Sequence, residues 1–208
     1  MNLRSALVAA VLLALSLPGC VAFEHAPVKT LACDPDLVGR WHADRDGPGP
    51  GREIVVDAKC GARWPVHERA VEVSLRGYTQ GATRYVVLSP EHAQRMLGSE
   101  SEIKLEDSVP RHAVFMVAYR IEGDRLQAWL PDPDRVNAAI RDGKARGRPL
   151  QNGDASSVLV QGNARNIAQL LAQGPEPVFG PLKPEVSALQ LQRVAGTVPV
   201  AISPGAAP

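Results

Sequence analysis

The sequence predicts an α+β fold: an antiparallel β-sheet or partly open barrel carrying two or three short helices. Three observations carry that expectation. Ala70 to Arg76 alternates, with Val71, Val73 and Leu75 on one face and Glu72, Ser74 and Arg76 on the other, which is the period of a half-buried strand. A second apolar run, Ala113 to Ile121, turns at Glu122-Gly123-Asp124-Arg125 and returns as Leu126 to Leu130, a hairpin pattern. Ser89-Pro90-Glu91 and Asp132-Pro133-Asp134 each place a capping side chain, a proline and an acid where a helix begins.

Taken in order, Asp34-Pro35-Asp36 is a turn signal, and Leu37 to His42 starts a first strand. Gly47-Pro48-Gly49-Pro50-Gly51 is a loop that cannot hold a regular element. Glu53 to Asp57 reads as a strand ended by Cys60-Gly61. Gly77 and Gly81 frame a turn between Ala70–Arg76 and the β-rich run Thr83–Leu88, so these two are expected to pair. A helix follows from Ser89 to about Leu97, stopped by Gly98, and then a polar loop from Ser99 to Pro110. The apolar density of Ala113–Ile121 predicts a strand covered on both faces. After it, Val136, Ala139 and Ile140 share the face of a helix stopped by Gly143. Lys144 to Asp154 reads as a basic loop and Ser157–Val160 as a short strand. Asn163 caps a third helix with Ile167, Leu170 and Leu171 inward, and Val186 to Val194 offers a final strand.

The amino terminus is of a different kind. Arg4 is the only charged residue before position 24, and Ala6 to Leu17 is almost wholly Ala, Val and Leu. A basic start, a short apolar run and small residues form a secretory signal pattern, and the run falls short of the roughly 20 apolar residues that span a bilayer. Leu17-Pro18-Gly19-Cys20 ends it. This tetrapeptide resembles the lipobox of bacterial lipoproteins, with Leu17, Gly19 and Cys20 matching and Pro18 departing from the usual small residue. The resemblance covers residues 1–20. It implies a cut before Cys20, diacylglycerol on its sulfur and an acyl chain, such as palmitate, on its new amine. Val21 in place of Asp implies passage to the outer membrane, facing the periplasm, in a Gram-negative cell. An ordinary signal peptide that leaves Cys20 in the mature chain is the rival reading.

The expected organisation is therefore a signal peptide at 1–19, a tether at 20–32, one globular domain at 33–194 and a charge-free, disordered tail at 195–208. Removing Arg4 with residues 1–19 changes 23 basic against 22 acidic residues into 22 against 22. A balanced chain offers no long-range field for nucleic acid, and aromatics at 4% argue against a base-stacking platform. With Cys20 lipidated, Cys33 and Cys60 remain as an even pair, which in an exported protein reads as a disulfide. A two-thiolate metal or redox site is the alternative, but neither Cys has a second Cys or a His at finger-like spacing.

Little else points to chemistry. His42, Asp44 and Asp46 fall at i, i+2 and i+4, one face of a strand, and are the weak candidates for a cation site; a polar edge explains them equally. No Gly-X-Ser-X-Gly elbow and no His-Glu-X-X-His motif occurs. Lys144, Arg146 and Arg148 form a small basic cluster, of the kind that meets lipid headgroups or simply faces solvent. Gly39-Arg40-Trp41 resembles the Gly-X-Trp that opens the first strand of lipocalin-like barrels, where the Trp plugs the barrel base. A Trp packed into any β-domain core accounts for the same triplet.

These readings favour a lipid-anchored envelope protein with a non-catalytic binding or scaffolding role, no cofactor and no nucleic-acid partner. A lipocalin-like carrier of a small apolar ligand is the first alternative. An envelope hydrolase, its residues scattered and His42 or His112 set beside an acid, is the second.

Overall fold

The computed structural model describes residues 19–43, 53–66, 69–98, 108–150 and 157–195. The signal-like segment up to Pro18, the loop from Gly47 to Gly51, Asp44, Asp46 and the tail from 196 onward lie outside these residues.

Among the described residues, antiparallel sheet is the dominant architecture. Nine strands are hydrogen-bonded in one curled half-barrel: β2 (Gly39–Ala43), β3 (Glu53–Val56), β4 (Gly61–Val66), β5 (Arg69–Ser74), β6 (Gly77–Gln80), β7 (Thr83–Leu88), β8 (Phe115–Glu122), β9 (Arg125–Trp129) and β12 (Leu189–Arg193). Their spatial order is β5-β4-β3-β2-β12-β9-β8-β7-β6, so the last strand closes the gap between β9 and β2. The two edge strands, β5 and β6, are consecutive in the chain and separated only by Leu75 and Arg76. Leu75 N–H donates to Cys60 O (2.8 Å) beside β4, and Arg76 O accepts from Val87 N–H (3.0 Å) of β7. The chain thus passes from one edge of the sheet to the other within two residues, which requires the sheet to curl.

A second, three-stranded sheet has the order β1-β11-β10, from β1 (Val21–Phe23), β10 (Arg146–Pro149) and β11 (Val158–Gln161). β1 and β11 run parallel. Phe23 and Val114 exchange two 2.8 Å backbone bonds and join this sheet to the chain entering β8. The described helices number four: α1 (Pro90–Leu97), α2 (Pro133–Arg141), α3 (Ala164–Ala172) and α4 (Glu176–Phe179).

Side-chain alternation divides the interior into two cores. Trp41, Ile54, Val56, Ala62, Val73, Val86, Leu88, Phe115 and Leu191 meet inside the curl, and α1 packs over β4, β5 and β7 with Ala93 turned inward. Tyr85, Val87, Met116, Ala118 and Trp129 project from the opposite face of β7, β8 and β9 onto Val158, Val160, Ile167, Leu171 and Phe179. β8 is therefore covered on both faces, as its apolar density predicts. The expected caps are all in place: Ser89 Oγ accepts from His92 N–H (3.2 Å), Asp132 Oδ1 from Asp134 N–H (2.9 Å), and Asn163 and Asn166 close a reciprocal capping box.

Several expectations are corrected. Residues 20–32 are not simply a tether, because Val21, Ala22 and Phe23 form β1 and are at most 4% exposed. Three apolar residues are too few to show a period. The alternating run Ala70–Arg76 does not pair with Thr83–Leu88; β5 pairs with β4, and the hairpin partner of β7 is β6, inside the stretch read as a turn. The turn itself is tighter, at Gly81-Ala82, with Gly81 in the left-handed region (φ +59°). The basic stretch from Lys144 contains β10, an edge strand blunted by Pro149. The helices exceed two or three because Pro175-Glu176-Pro177 starts the single turn of α4.

Candidate functional site

The residues singled out from the sequence occupy two separate places. Cys20 lies at one end of the small sheet. Its N–H donates to Ser157 Oγ (2.9 Å) and its carbonyl accepts from Val158 N–H (2.8 Å). Leu150 N–H in turn donates to Ser157 O (3.0 Å). Cys20, Ser157 and Leu150 therefore form one row across the ends of the three strands. Cys20 is half-buried, and the chain is in the core one residue later.

The second place is the base of the half-barrel. Cys33 and Cys60 form a disulfide, with Cα atoms 5.3 Å apart. Cys60 has φ +60°, the left-handed conformation that lets residues 57–61 turn tightly from β3 into β4. Next to the disulfide, a 3₁₀ turn at Pro35–Leu37 is capped by Asp34, whose Oδ1 accepts from Asp36 N–H (2.9 Å). Trp41 is 1% exposed and its indole N–H donates to Leu37 O (2.8 Å), so the ring is buried without leaving a polar atom unpaired.

Two side chains from β7 and β8 converge on the carboxylates of that turn. Arg84 reaches Asp34 Oδ2 (3.2 Å) and Asp36 Oδ2 (2.8 Å), and Tyr119 O–H donates to Asp34 Oδ2 (2.6 Å). Burial first, then the hydrogen bond to Asp34 and the charge of that carboxylate, pushes the Tyr119 phenol above its ordinary value. Burial, then the neighbouring Tyr85, raises Tyr78 likewise. A cleft of about 270 Å³ opens here, bordered by Cys33, Asp34, Tyr78, Thr79, Arg84 and Tyr119. A second cleft, of about 390 Å³, lies at the same end of β7 and β8, between Thr83, Arg120 and the turn Gln173–Glu176. Both are open to solvent and mix polar with apolar walls. Such a surface suits a polar ligand or a protein loop better than a buried apolar molecule.

The cation candidates are not brought together among the described residues. His42 sits on β2 across from Glu53, whose carboxylate is engaged by Arg40, while Asp44 and Asp46 lie outside the described residues. Among the described residues no three His, Cys, Asp or Glu side chains are grouped to hold a metal. The His112 ring lies beside that of His25, tilted by 42° with centroids 4.9 Å apart. Neither His42 nor His112 borders either cleft. Sequence reading missed Arg84, Tyr119 and Arg193 at the barrel base. Only Asp34 and Asp36 carried a local signal, and the three partners come from strands 48 to 157 residues away in the chain.

Compared with known proteins, the chain matches no family model, no curated protein and no solved structure.

Proposed function

We propose that this chain is a lipid-anchored envelope protein with a non-catalytic binding or scaffolding role, held to the membrane through Cys20. The observation that carries the reading is the junction at Cys20. The strand β1 begins at the next residue, so a cut before Cys20 keeps every described strand, and the lipobox-like Leu17-Pro18-Gly19-Cys20 ends where the folded body starts. The Cys33–Cys60 disulfide is in keeping with export to an oxidising compartment. Two or three acyl chains on one residue would hold the body far more firmly than a single chain, since each buried methylene contributes about 0.8 kcal/mol. On this reading the cleft at the barrel base is the surface offered to a polar or protein partner. The localisation is the cell envelope, on the periplasmic face of the outer membrane in a Gram-negative cell. Metabolic labelling with palmitate tests the anchor: the label is expected on the wild-type chain and not on Cys20→Ser, and an unlabelled wild-type chain would overturn it.

A second reading, a partly open lipocalin-like barrel that carries a small apolar ligand, is favoured by Trp41. It lies buried on β2 above the 3₁₀ turn, where such a barrel keeps the Trp that plugs its base. Against it, Trp41, Phe115, Tyr119, Leu126 and Leu191 meet in one buried cluster inside the curl. Titration with a fluorescent fatty acid separates the two: saturable micromolar binding inside the barrel supports the carrier, and no binding supports the scaffold.

A further inference from the structure

We infer that the body is seated directly on the bilayer, with the β10 arginines, Arg148 and Arg146, on the phosphates of anionic phospholipids. This inference rests on the anchor at Cys20 proposed above. Three observations lead to it.

First, no free chain separates the anchoring residue from the fold. Cys20 is hydrogen-bonded through its own N–H and carbonyl to Ser157 and Val158, and Val21 is already buried. A thioether-linked lipid on Cys20 therefore fixes the end of the small sheet, the row Cys20–Ser157–Leu150, at the level where the acyl chains begin.

Second, β10 rises from that row. Arg148 is two residues above Leu150 and Arg146 is four, which at 3.3 Å per residue places them roughly 7 and 13 Å from the row. The polar layer of one leaflet is about 5–8 Å thick, half the difference between the whole bilayer and its hydrocarbon core. Arg148 falls within it, and Arg146 reaches it with its long side chain.

Third, neither arginine is buried: Arg146 is exposed and Arg148 half-buried. A Cβ on Gly147 would lie 2.4 Å from Ile140 Cδ1, so Gly147 faces α2 and the alternating Arg146 and Arg148 lie on the opposite face of β10. Among the described residues neither meets a carboxylate; Arg148 donates only to Pro149 O (3.2 Å), while nearby Lys144 is taken by Asp142 (3.2 Å). In a mature chain with 22 basic and 22 acidic residues, such a local cation pair at the anchored end is what directs the molecule. A guanidinium fork matches phosphate oxygens in geometry as well as charge.

The test uses the full chain, processed and purified from membranes, in vesicles of phosphatidylcholine with about 30% phosphatidylglycerol and in vesicles of phosphatidylcholine alone. Intact mass first establishes whether Cys20 carries lipid. Amide exchange over residues 143–150 is then followed by mass spectrometry. It is expected to slow roughly tenfold in the anionic vesicles relative to detergent, and to lose that protection in Arg146→Gln/Arg148→Gln and in high salt. A second variant, with a flexible Gly-Ser insertion of about ten residues between Cys20 and Val21, keeps both arginines and should also lose most of the protection, because it dilutes the body away from the surface. Lipid on Cys20 with unchanged exchange in β10 overturns the seating and leaves the anchor standing. Absence of lipid overturns both.

Discussion

The guanidinium of Arg193 lies over the ring of Trp41, 4.0 Å from its centroid. The two residues are register partners on β12 and β2. The two ends of the same guanidinium donate to Val38 O (2.7 Å) and Asp36 O (2.6 Å), so the last strand holds both the buried ring and the 3₁₀ turn beneath it. A residue near the end of the described chain thereby secures the element that begins the half-barrel.

Arg193→Met should cost about 2–3 kcal/mol of stability: about 1 from the ring contact and the rest from two carbonyls that lose a charged donor. Arg193→Lys keeps the charge but not the fork and should recover less than half of the loss. Urea denaturation of the three proteins checks the order wild type, Lys, Met.

Replacing Cys33 and Cys60 by Ser together should lower stability by about 3.5 kcal/mol, the loop-entropy value for a separation of this size. The bridge spans 27 residues and fastens the turn before β2 to the start of β4. Parallel urea melts give the difference. A mutant as stable as wild type would mean that Arg84, Arg193 and Trp41 hold the base by themselves.

Gly77 is the point where the sheet passes between its edges. A Cβ there would lie 1.8 Å from Tyr85 O, and its backbone exchanges two 2.9 Å bonds with Ala32. Gly77→Ala should therefore destabilise by about 3 kcal/mol or more, at or beyond the upper end of ordinary overpacking. Gly81→Ala, with open space around it but φ +59°, should cost only about 1 kcal/mol. Thermal melts of the pair separate closure of the sheet from turn strain.

What could be read in the sequence follows from how far each signal reaches along the chain. β5, the β8–β9 hairpin and the helices capped by Ser89, Asp132 and Asn163 are written in contiguous residues, and they are found where expected. β1 and β6 are three and four residues long, below the length at which a period can be seen. β10 reads as a basic loop because its two half-buried positions, Gly147 and Arg148, carry no apolar side chain to mark a buried face. The disulfide was legible from cysteine parity once Cys20 is set aside for the lipid. The Asp34–Arg84–Tyr119 cluster was not, since each member looks like an ordinary surface or strand residue until the curl brings them together.

Alkaline pH should unfold the protein early. Burial raises the phenols of Tyr78, Tyr85 and Tyr119 above the value of about 10 that they have in the unfolded chain. The folded state then retains protons that the unfolded state releases, so the full stability is present below about pH 10 and falls as pH rises beyond it, by up to about 1.4 kcal/mol per pH unit for each phenol. Tyr119→Phe should flatten that fall while lowering stability at neutral pH through the lost bond to Asp34. Urea midpoints between about pH 8 and 11 measure both effects.

The anchor is tested most directly by the intact mass of the chain extracted from cell envelopes. The account predicts a polypeptide beginning at Cys20 with diacylglycerol and a further acyl group on that residue, and an unprocessed, unacylated Cys20→Ser chain. A wild-type chain that retains residues 1–19, or one that begins elsewhere and carries no lipid, would contradict it.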